Sequence, residues 1–390
     1  MNVLVLGVGR QGKAAVYDLE KSSLVDQIVA ADRDLPAVED FIGCRGLTKV
    51  KTAKVDAEDT AGLNELFKKT APALVISLLP ARLGLAAARA ALKAKAHFVS
   101  TSYAGQITEL DAEAKKRGVI VLPEMGLDPG IDLVLGAMAA KQFDEVQGLY
   151  SYGTGIPEPA CAGTNALQYK ITWNFAGVLD AYDRPARMLK EGREVLIPAD
   201  EIFRQENVHE VDIPGVGRME AFANGDALQF IEAFGLPTCL RHMGRFTLRW
   251  PGHCRFWHTL AAMGFLEQEP LKEAGCQISP RQFLMAHLSP RLQYGDNERD
   301  LVVLRIHAWG ILDDQQKSLI YELIDYRDLA TGFFAMNRTV GFTASIAAQM
   351  ILAGAISEPG VLSPIRHVPD QMLLSELEQR GIKIQQRWEE

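Results

Sequence analysis

The sequence predicts an α/β fold, in which a doubly wound parallel sheet is followed by a second α+β domain. The chain opens with an apolar segment, residues 1–6, that runs straight into the glycine-rich turn Gly7-Val8-Gly9-Arg10-Gln11-Gly12. Apolar and helical segments then alternate to about residue 122, which is typical of a parallel sheet with right-handed crossovers. Beyond residue 123, strand-like segments are joined by Gly and Pro turns, which favours a substantially antiparallel sheet.

Each element of the first domain follows from its pattern of apolar residues. Residues 73–79 form a continuous apolar run, as expected for a strand covered on both faces, and the alanine-rich segment 85–96 indicates a helix. The predicted strands are residues 1–6, 27–31, 50–55, 73–79, 97–100 and 119–122. The predicted helices are 11–19, 85–96 and 108–117, the last of which ends at Gly118. Together they make a Rossmann arrangement.

The sequence pattern changes after Pro123, and this change marks the end of the first domain. A turn-rich link leads into a predicted helix at 131–141, and the predicted strands beyond it are 147–152, 168–173, 245–250, 301–311 and 317–326. The end of the chain reads as helical, and the segment 342–353, capped by Gly354, has the small and apolar residues of a buried helix. We therefore predict a dinucleotide-binding domain at 1–125, an α+β domain at 126–340 and a helical return to the first domain at 341–390.

Composition narrows the classes of function. The 390 residues carry a net charge of −8 with both signs interspersed, which gives no basic surface for nucleic acid or for a membrane. The start of the chain has no signal-peptide pattern, and the mildly apolar stretch 342–356 is too short to span a bilayer. The five cysteines are scattered and form no CxxC pair, which favours reduced thiols and a cytoplasmic location; they are Cys44, Cys161, Cys239, Cys254 and Cys276. We expect a small molecule and a second copy of the chain as partners.

The glycine-rich turn predicts a dinucleotide site. Gly7 allows the sharp turn, Gly9 lets a pyrophosphate approach the backbone, and Gly12 lets the helix lie close to the strand. The amides at the start of the helix then face the phosphates. Asp32 ends the next apolar strand, twenty residues after Gly12. A carboxylate there accepts hydrogen bonds from the ribose hydroxyls and repels a 2′-phosphate, which favours NAD over NADP.

Arg33 leaves NADP open, because it could pair with a 2′-phosphate if Asp32 rotates away, or stack on the adenine. A tight turn without a ligand, or a flavin or S-adenosylmethionine in the same place, are the alternatives. In an open α/β sheet the ligand lies at the carboxyl ends of the strands. The candidates there for cofactor binding are Gly7, Gly9, Arg10, Gln11, Gly12, Asp32, Arg33, Asp56, Leu79, Pro80 and Ser102.

The same edge carries two candidates for catalysis. Tyr103 follows the strand at 97–100 and would place a phenol close to the nicotinamide, with packing at the sheet edge as the alternative. Asp128 precedes Pro129-Gly130 and a predicted helix, whose dipole favours the ionised carboxylate. Asp128 could therefore bind a substrate ammonium group or accept its proton, with an ordinary helix cap as the alternative.

The second domain supplies candidates for substrate binding. Arg249 lies on a predicted strand and could direct its planar guanidinium at a substrate carboxylate; an ion-paired surface arginine is the alternative. Arg245 and His253 are further candidates, and Arg241 or Arg245 could supply a second cation for a dicarboxylate. His253 and His258 are five residues apart, unlike the four-residue spacing of zinc-binding helices, so we expect no metal.

Several segments resemble the saccharopine dehydrogenase family, and most of all its shorter, lysine 6-dehydrogenase-type members. They are VLVLGVGRQG, VISLLPARLGLAAARAALKAKAHFVSTSY, PEMGLDPGID, YSYGTGIPEP, YKITWNFAGVL, FTLRWPGH and TGFFAMNRTVGFTASIAAQMI. The resemblance implies NAD- or NADP-dependent oxidation of an amino-acid carbon–nitrogen bond, or the reverse reduction of an imine. It also implies an inserted domain for substrate binding and dimerisation, with Tyr103, Asp128 and Arg249 at substrate-site positions.

The pair Asp32-Arg33 departs from the family's reductases, which tend to carry an arginine and small polar residues there, and this again favours NAD. The leading hypothesis is an NAD(P)-dependent dehydrogenase acting on an amino-acid C–N bond, with a lysine 6-dehydrogenase as one possibility. A saccharopine or carboxynorspermidine-type reductase is the runner-up, and a dinucleotide-binding scaffold without turnover is the alternative from another class. The dehydrogenase hypothesis expects the glycine-rich turn and Arg249 to face a common cleft.

Overall fold

Two β-sheets organise the chain, one of seven parallel strands and one of nine mixed strands. The computed structural model describes residues 1–236, 240–271 and 277–389. Contacts between residues divide the chain into two units, Met1–Leu135 with Met336–Lys383 and Gly136–Ala335 with Ile384–Glu390. The first unit holds the parallel sheet and the second holds the mixed sheet, so the predicted fold class is confirmed.

The described residues form strands and α-helices that are joined by turns and short 3-10 helices. The strands are β1 (Asn2–Leu6), β2 (Gln27–Asp32), β3 (Val50–Lys54), β4 (Leu74–Ser77), β5 (His97–Ser100), β6 (Ile120–Leu122), β7 (Glu145–Pro157), β8 (Ala186–Lys190), β9 (Arg193–Ile197), β10 (Val208–Ile213), β11 (Gly217–Ala223), β12 (His242–Arg249), β13 (Asp300–Leu312), β14 (Gln315–Tyr326), β15 (Gly360–Val361) and β16 (Ile384–Glu389). The helices are α1 (Arg10–Glu20), α2 (Leu35–Arg45), α3 (Thr60–Thr70), α4 (Gly84–Ala94), α5 (Asp111–Arg117), α6 (Ile131–Ala140), α7 (Pro159–Ala162), α8 (Phe175–Tyr182), α9 (Gln229–Ala233), α10 (His253–Ala262), α11 (Pro280–Leu288), α12 (Ala335–Leu352), α13 (Pro364–His367) and α14 (Asp370–Gln379).

The first sheet has the doubly wound order β15-β6-β5-β4-β1-β2-β3, and its neighbouring strands are parallel. β1 lies between β2 and β4, where Val5 is paired with Ala30 and with Ile76. Residues 3–6 are fully buried, because strands covered on both faces need a continuous apolar sequence. The strand order reverses between β1 and β4, and ligands bind at such a reversal, beyond the carboxyl ends of the strands.

The predicted strands of this unit are confirmed, with ends that differ by at most two residues. One predicted helix differs in kind, because the segment 108–117 begins within a 3-10 helix, Gly105–Leu110, and only α5 is α-helical. Ile107 and Leu110 are both buried and lie three residues apart. A helix with three residues per turn places both side chains on one side, towards the core.

The second sheet has the order β10-β11-β12-β7-β13-β14-β16, and β8 pairs with β12 and β9. β7 and β12 are parallel, whereas the other pairs are antiparallel. The predicted strands at 147–152, 245–250, 301–311 and 317–326 overlap β7, β12, β13 and β14. Asp313 and Asp314 join β13 to β14 with φ of 53° and 59°, as a two-residue hairpin turn with two positive φ angles requires.

The predicted strand at 168–173 is wrong, because Asn165 organises this segment as an irregular loop. The Asn165 side-chain amide donates a hydrogen bond to the carbonyl oxygen of Tyr169 at 3.0 Å, and its Oδ1 accepts one from the amide of Leu167 at 3.0 Å. Gln168 adopts φ of 48°, which lies outside the strand region. Local side-chain hydrogen bonds of this kind compete with sheet pairing.

The chain returns to the first unit through α12, which packs closely on α1. Gly341 makes the closest approach, since a Cβ there would lie 2.4 Å from the carbonyl oxygen of Gln11. One turn further on, the Ser345 hydroxyl donates to Asp18 Oδ2 at 2.7 Å. Arg380, which follows α14, donates from Nε to Asp18 Oδ1 at 2.7 Å. The buried carboxylate of Asp18 therefore connects α1 to two C-terminal segments.

The sequence predicted a helical segment at 341–390, but the structure shows that this segment is helical only in part. α12 begins seven residues earlier than predicted, and Gly354 follows it with φ of 77°. β15 then joins the first sheet beside β6, and β16 joins the second sheet beside β14. β16 is a polar edge strand with the sequence IQQRWE, so it has little of the apolar alternation by which strands are predicted.

We expect Gly341→Ala to lower the free energy of unfolding by about 1–3 kcal/mol, because a methyl group there must push α12 away from α1. Gly43→Ala in α2 is the control, since its Cβ would meet no described atom within 4 Å. The control should be neutral or stabilising by up to about 1 kcal/mol. Urea unfolding followed by circular dichroism measures both, and equal losses would contradict the close packing of the two helices.

Candidate active site

The glycines of the turn between β1 and α1 are required for different reasons. Gly7 has φ of 84°, and a Cβ on it would lie 2.9 Å from the carbonyl oxygen of Leu78. A Cβ on Gly12 would lie 2.1 Å from the carbonyl oxygen of Gly7. Gly9 differs, because its φ is −69° and a Cβ on it would meet no described atom within 4 Å. Protein packing explains Gly7 and Gly12, whereas Gly9 leaves the backbone open to a ligand such as a pyrophosphate.

Gly9 is also the N-cap of α1, so in the described part of the chain no side chain caps this helix. The first amide that donates back to Gly9 is that of Lys13, at 2.9 Å. The amides of Arg10, Gln11 and Gly12 come before it, in the first turn. Amides at a helix start, together with the helix dipole, favour a bound anion. Arg10 is exposed and adds a positive charge at this end of the helix.

Asp32 lies at the carboxyl end of β2, beside the same turn. Its Oδ2 accepts a hydrogen bond from the amide of Val8 at 2.7 Å, and its Oδ1 accepts one from the amide of Asp34 at 2.9 Å. The Asp32 carboxylate is therefore held next to the glycine-rich turn, where the ribose of a dinucleotide would be bound. Arg33 is exposed, and among the described residues it forms no ion pair with Asp32.

Three other candidates for cofactor binding lie at the carboxyl edge of the sheet. Asp56 follows β3, and its Oδ1 accepts a hydrogen bond from the amide of Glu58 at 3.0 Å, which closes a local turn. Leu79 packs against the core of the first unit. Pro80 is exposed and precedes the 3-10 helix Ala81–Leu83, which leads into α4.

Two loops at this edge, those that follow β5 and β6, are joined by hydrogen bonds. The amide of Met125 donates to the carbonyl oxygen of Ser100 at 2.8 Å, and the amide of Glu124 donates to that of Ser102 at 3.1 Å. In the opposite direction, the amide of Ala104 donates to Glu124 Oε1 at 3.1 Å. The carbonyl oxygen of Ser102 therefore takes part in the contact between the two loops.

Tyr103 and Asp128 meet across these loops. The Tyr103 hydroxyl donates a hydrogen bond to Asp128 Oδ1 at 3.1 Å, and both side chains are exposed. The peptide bond between Asp128 and Pro129 is cis. The structure therefore brings together the two residues that the sequence analysis selected for catalysis, in an arrangement where a carboxylate can accept a proton beside a phenol.

Sequence analysis missed two acidic residues near this pair, Glu124 and Asp132. Asp132 is buried in the first turn of α6, and its Oδ1 accepts a hydrogen bond from the amide of Gly130 at 2.7 Å. Burial, with a contribution from the charge of Glu124, raises the pKa of Asp132 to about 7, although hydrogen bonds from amides oppose the shift. Asp132 stabilises the turn that carries Asp128. Its position in the GLDPGID segment, close to Asp128, is the feature of the sequence from which this role could have been predicted.

Arg249 ends β12 and is buried in the second unit, with 5% of its surface exposed. Its Nε donates to the Tyr182 hydroxyl at 2.9 Å, and its Nη1 donates to Thr154 Oγ1 at 3.0 Å and to the carbonyl oxygen of Leu248 at 2.9 Å. Within the described ranges no carboxylate pairs with Arg249, and Nη2 makes no hydrogen bond. The guanidinium is a buried cation that is held by neutral acceptors.

The acidic residue directly opposite Arg249 in the sheet is Glu220 of β11. Opposite charges at such positions usually pair across the strands. Here the Glu220 carboxylate instead accepts hydrogen bonds from the amides of Gly252 and Cys254, at 2.8 and 2.9 Å. Glu220 therefore caps the start of α10, and the charge of Arg249 stays without a counter-charge from β11.

Aromatic residues surround the Arg249 guanidinium. Its Cζ lies 5.2 Å from the ring centroid of Tyr169 and 5.7 Å from that of Tyr182. The ring of Trp257 packs on Tyr182 with centroids 4.9 Å apart. The Tyr169 hydroxyl and Trp257 Nε1 are buried and have no hydrogen-bond partner among the described residues. Buried donors normally have an acceptor, and a bound anion could supply one. Sequence analysis selected none of these three aromatic residues.

Tyr182 connects Arg249 to His253. The Tyr182 hydroxyl, which accepts from Arg249 Nε, lies 2.8 Å from His253 Nε2. Burial, together with the positive charge of Arg249, lowers the pKa of His253 well below its usual value, so the imidazole is neutral. Because the phenol oxygen accepts from Arg249, the Tyr182 proton is free to be donated to His253 Nε2. His253 orients Tyr182 in this way, and its direct contact with substrate stays a prediction.

The two candidates for a second cation lie in different places. Arg245 is four residues before Arg249 on β12 and therefore belongs to the same face of the sheet. It is buried, and its Cζ lies 4.7 Å from the ring centroid of Phe230. Arg241 is exposed and precedes the strand. A role for either residue in binding substrate stays a prediction.

The described residues were also expected to lack a metal site and disulfide bonds, and the expectations concern His, Cys and acidic side chains. The described residues contain no group of three His, Cys, Asp or Glu side chains placed to bind a metal ion. Cys44, Cys161 and Cys254 have free thiols, whereas Cys239 and Cys276 lie outside the described residues. Over the same ranges, no helix combines the length and apolar character needed to cross a membrane.

Comparison with protein families covers nearly the whole chain. Residues 3–122 match the saccharopine dehydrogenase NADP binding domain, and residues 126–382 match the saccharopine dehydrogenase C-terminal domain. With the glycine-rich turn, this makes the protein a nicotinamide-dependent dehydrogenase. The chain belongs to the saccharopine dehydrogenase family, as its motifs predicted.

Individual relatives match from end to end. The saccharopine dehydrogenase [NADP(+), L-glutamate-forming] of Saccharomyces cerevisiae is 27% identical over 455 residues, which cover 99% of each chain. The carboxynorspermidine synthase of Vibrio cholerae is 25% identical over 96% of this chain and 94% of its own. The solved structure of apo saccharopine dehydrogenase (L-Glu forming) from S. cerevisiae has a TM-score of 0.86 at 24% identity, covering all of both chains, and shares the fold.

We expect Gly9→Ala and Gly12→Ala to separate cofactor binding from stability. Gly9→Ala should weaken dinucleotide binding by about tenfold or more while leaving Tm unchanged, because the added methyl group meets the ligand and not the protein. Gly12→Ala should also lower Tm by several degrees, since its methyl group meets the backbone of Gly7. NADH fluorescence and thermal unfolding measure the two effects. An equal loss of Tm in both variants would contradict this assignment of the two glycines.

Proposed function

We propose that the chain oxidises a carbon–nitrogen bond of an amino acid whose carboxylate is bound by Arg249. A saccharopine-type secondary amine, in which two amino acids share one nitrogen, is the substrate that the full-length relatives favour. One observation carries the proposal. Arg249 is a buried cation with no acidic partner in the described part of the chain.

An unpaired buried charge is costly, which is the reason to expect an anionic ligand. Moving an ion from water into a low-dielectric interior has an effective cost of several kcal/mol after relaxation. The neutral acceptors on Tyr182, Thr154 and Leu248 offset part of that cost. A substrate carboxylate could accept hydrogen bonds from Nη2, each contributing about 1.5–3 kcal/mol because both partners are charged. The site should therefore prefer a carboxylate to a neutral group of the same shape.

The first unit supplies the groups for proton transfer. We propose Asp128 as the acceptor of the proton that leaves the substrate nitrogen. Tyr103 donates a hydrogen bond to Asp128 and would orient its carboxylate towards the amine. Glu124 and Asp132 hold the two loops that carry this pair.

The reaction balances with these groups. A hydride leaves the substrate carbon and a proton leaves the nitrogen, which creates a C=N bond; water then adds to the carbon and the C–N bond breaks. The products are an amine and a carbonyl compound. A bound nicotinamide would accept the hydride, and the amides of Arg10, Gln11 and Gly12 would hold its pyrophosphate. The protein contributes mainly by positioning the substrate and by placing charge near the nitrogen.

Oxidation of the 6-amino group of L-lysine is the second candidate. The alignment with the S. cerevisiae enzyme extends over 455 residues, whereas this chain has 390, so that relative contains segments that this chain lacks. L-Lysine has a single carboxylate, which Arg249 alone could bind.

A substrate screen tests the proposal directly. The purified chain is supplied with saccharopine, carboxynorspermidine or L-lysine and with NAD or NADP, and the absorbance of reduced nicotinamide is followed. Saccharopine should be oxidised with the highest kcat/KM. Oxidation of L-lysine alone would support the second candidate. Cofactor binding without turnover of any of these compounds would contradict a catalytic function and favour a dinucleotide-binding scaffold.

Replacing Arg249 by Met should reduce activity without reducing stability. When the guanidinium is removed, Tyr182 still contacts His253, and Thr154 Oγ1 still donates to the carbonyl oxygen of Leu248 at 2.7 Å. No buried partner loses its only hydrogen bond. We therefore expect the free energy of unfolding to stay the same or to rise by about 1 kcal/mol or more. The variant should lose about 2–4 kcal/mol in kcat/KM for a carboxylated substrate, mainly through KM, with unchanged cofactor affinity.

Arg218→Met is the matched control. Arg218 lies on the neighbouring strand β11, is exposed, and pairs with Glu210 at 3.3 Å on the surface. Its removal changes the net charge equally and should leave KM unaltered. Steady-state kinetics and urea unfolding apply to both variants. An unchanged KM in Arg249→Met, or a loss of several kcal/mol of stability, would show that Arg249 is structural.

A further inference from the structure

We infer that Asp32 makes this chain select NAD and reject NADP. The inference runs against the family pattern, because residues 3–122 match an NADP binding domain and the S. cerevisiae relative is named for NADP(+). It rests on the proposed function in that it names the cofactor of the same dehydrogenase. The observation that supports the inference is the position of the Asp32 carboxylate.

The Asp32 carboxylate is fixed by the backbone on both of its oxygens. Oδ2 accepts from the amide of Val8 at 2.7 Å, and Oδ1 accepts from the amide of Asp34 at 2.9 Å. Val8 lies between Gly7 and Gly9 in the glycine-rich turn, so the carboxylate is attached to the phosphate-binding segment itself. A rotation of Asp32 away from the turn would break both charge-assisted hydrogen bonds. The possibility that Asp32 rotates aside to admit a 2′-phosphate is therefore unfavourable.

A carboxylate in this position discriminates between the two cofactors. An ionised carboxylate has about four lone-pair sites, and two amides leave the others for the 2′- and 3′-hydroxyls of an unphosphorylated ribose. A 2′-phosphate brings further negative charge to the same place and offers no hydroxyl proton to the carboxylate there. Like charges at hydrogen-bond distance repel strongly, and such repulsion is a common source of specificity.

Nearby cations do not reverse this preference. Arg33 follows Asp32, Lys54 is its register partner on β3, and Arg10 lies in the first turn of α1. All three side chains are exposed. Exposed charges contribute little and are screened by salt, whereas Asp32 is held by the backbone. The planar guanidinium of Arg33 can also stack on the adenine, a contact that NAD and NADP offer alike.

Direct binding measurements test the inference without any substrate. Dissociation constants of the full chain for NADH and NADPH are measured by nicotinamide fluorescence. The wild-type chain should bind NADH at least about tenfold more tightly than NADPH. Asp32→Asn keeps an oxygen acceptor for the amide of Val8 and removes the charge. This variant should reduce the preference by about tenfold or more, mainly through tighter binding of NADPH.

Asp40→Asn is the matched control, because Asp40 is exposed on α2 and its replacement removes the same charge elsewhere in the first unit. It should leave the NADH to NADPH ratio unchanged. Thermal unfolding confirms that the variants are folded, and Asp32→Ser, which also keeps an oxygen acceptor, replaces Asp32→Asn if the latter is unstable. Arg33→Ala should affect the two cofactors alike.

Three results would overturn the inference. They are equal or tighter binding of NADPH by the wild-type chain, an unchanged ratio in Asp32→Asn or Asp32→Ser, and a selective loss of NADPH binding in Arg33→Ala. The outcome is separable from that of the proposed function. A chain that prefers NADH as expected but oxidises none of the amino acids in the screen would refute the function and leave the cofactor preference standing.

Discussion

The second domain contains a buried positive charge that no carboxylate among the described residues neutralises. Arg249 is buried under aromatic rings, and the one acid opposite it in the sheet, Glu220, is directed to the start of α10. Tyr182 accepts from Arg249 and contacts His253, and burial keeps that imidazole neutral. Its described polar neighbours therefore orient the cation without cancelling its charge, which is the arrangement that the proposed carboxylate site requires.

The first domain depends on close approach of backbone to backbone. Gly12 lies against Gly7, and Gly341 lies against Gln11, so α1 is packed tightly both on β1 and on α12. These contacts fix the start of α1. Gly9 is the exception, because no described atom lies within 4 Å of a Cβ placed there. The packing of the described residues therefore does not explain this glycine, whereas the close approach of a dinucleotide pyrophosphate would.

The fold could be predicted from the sequence where a residue pattern by itself determines the local structure. Continuous apolar runs gave the strands of the parallel sheet, and the spacing from Gly12 to Asp32 gave the dinucleotide turn. Helices α2 and α3 were missed, although Asp34 and Asp59 cap them by accepting hydrogen bonds from amides of the first turn. Such caps are visible in the sequence as acidic residues, but Val38 is the single residue of α2 that is buried, so this helix contributes little to the core.

The site was predictable only in part, and the reason is long-range contact. Arg249, Tyr103 and Asp128 are recognisable because their residue types suit the chemistry and they follow strands. Tyr182 was not, since an aromatic residue on a helix is usually part of the core, and only the structure shows its hydroxyl bonded to a buried cation. The loop at 168–173 was misjudged for a different reason, because the local hydrogen bonds of Asn165 override an apolar pattern.

We propose that Arg249 binds the substrate carboxylate, and a crystal structure of the chain with bound saccharopine would test this contact. We expect a carboxylate oxygen at about 2.8 Å from Nη2, with the bonds from Nε to Tyr182 and from Nη1 to Thr154 retained. Electron density for saccharopine in which no carboxylate contacts the Arg249 guanidinium would contradict it.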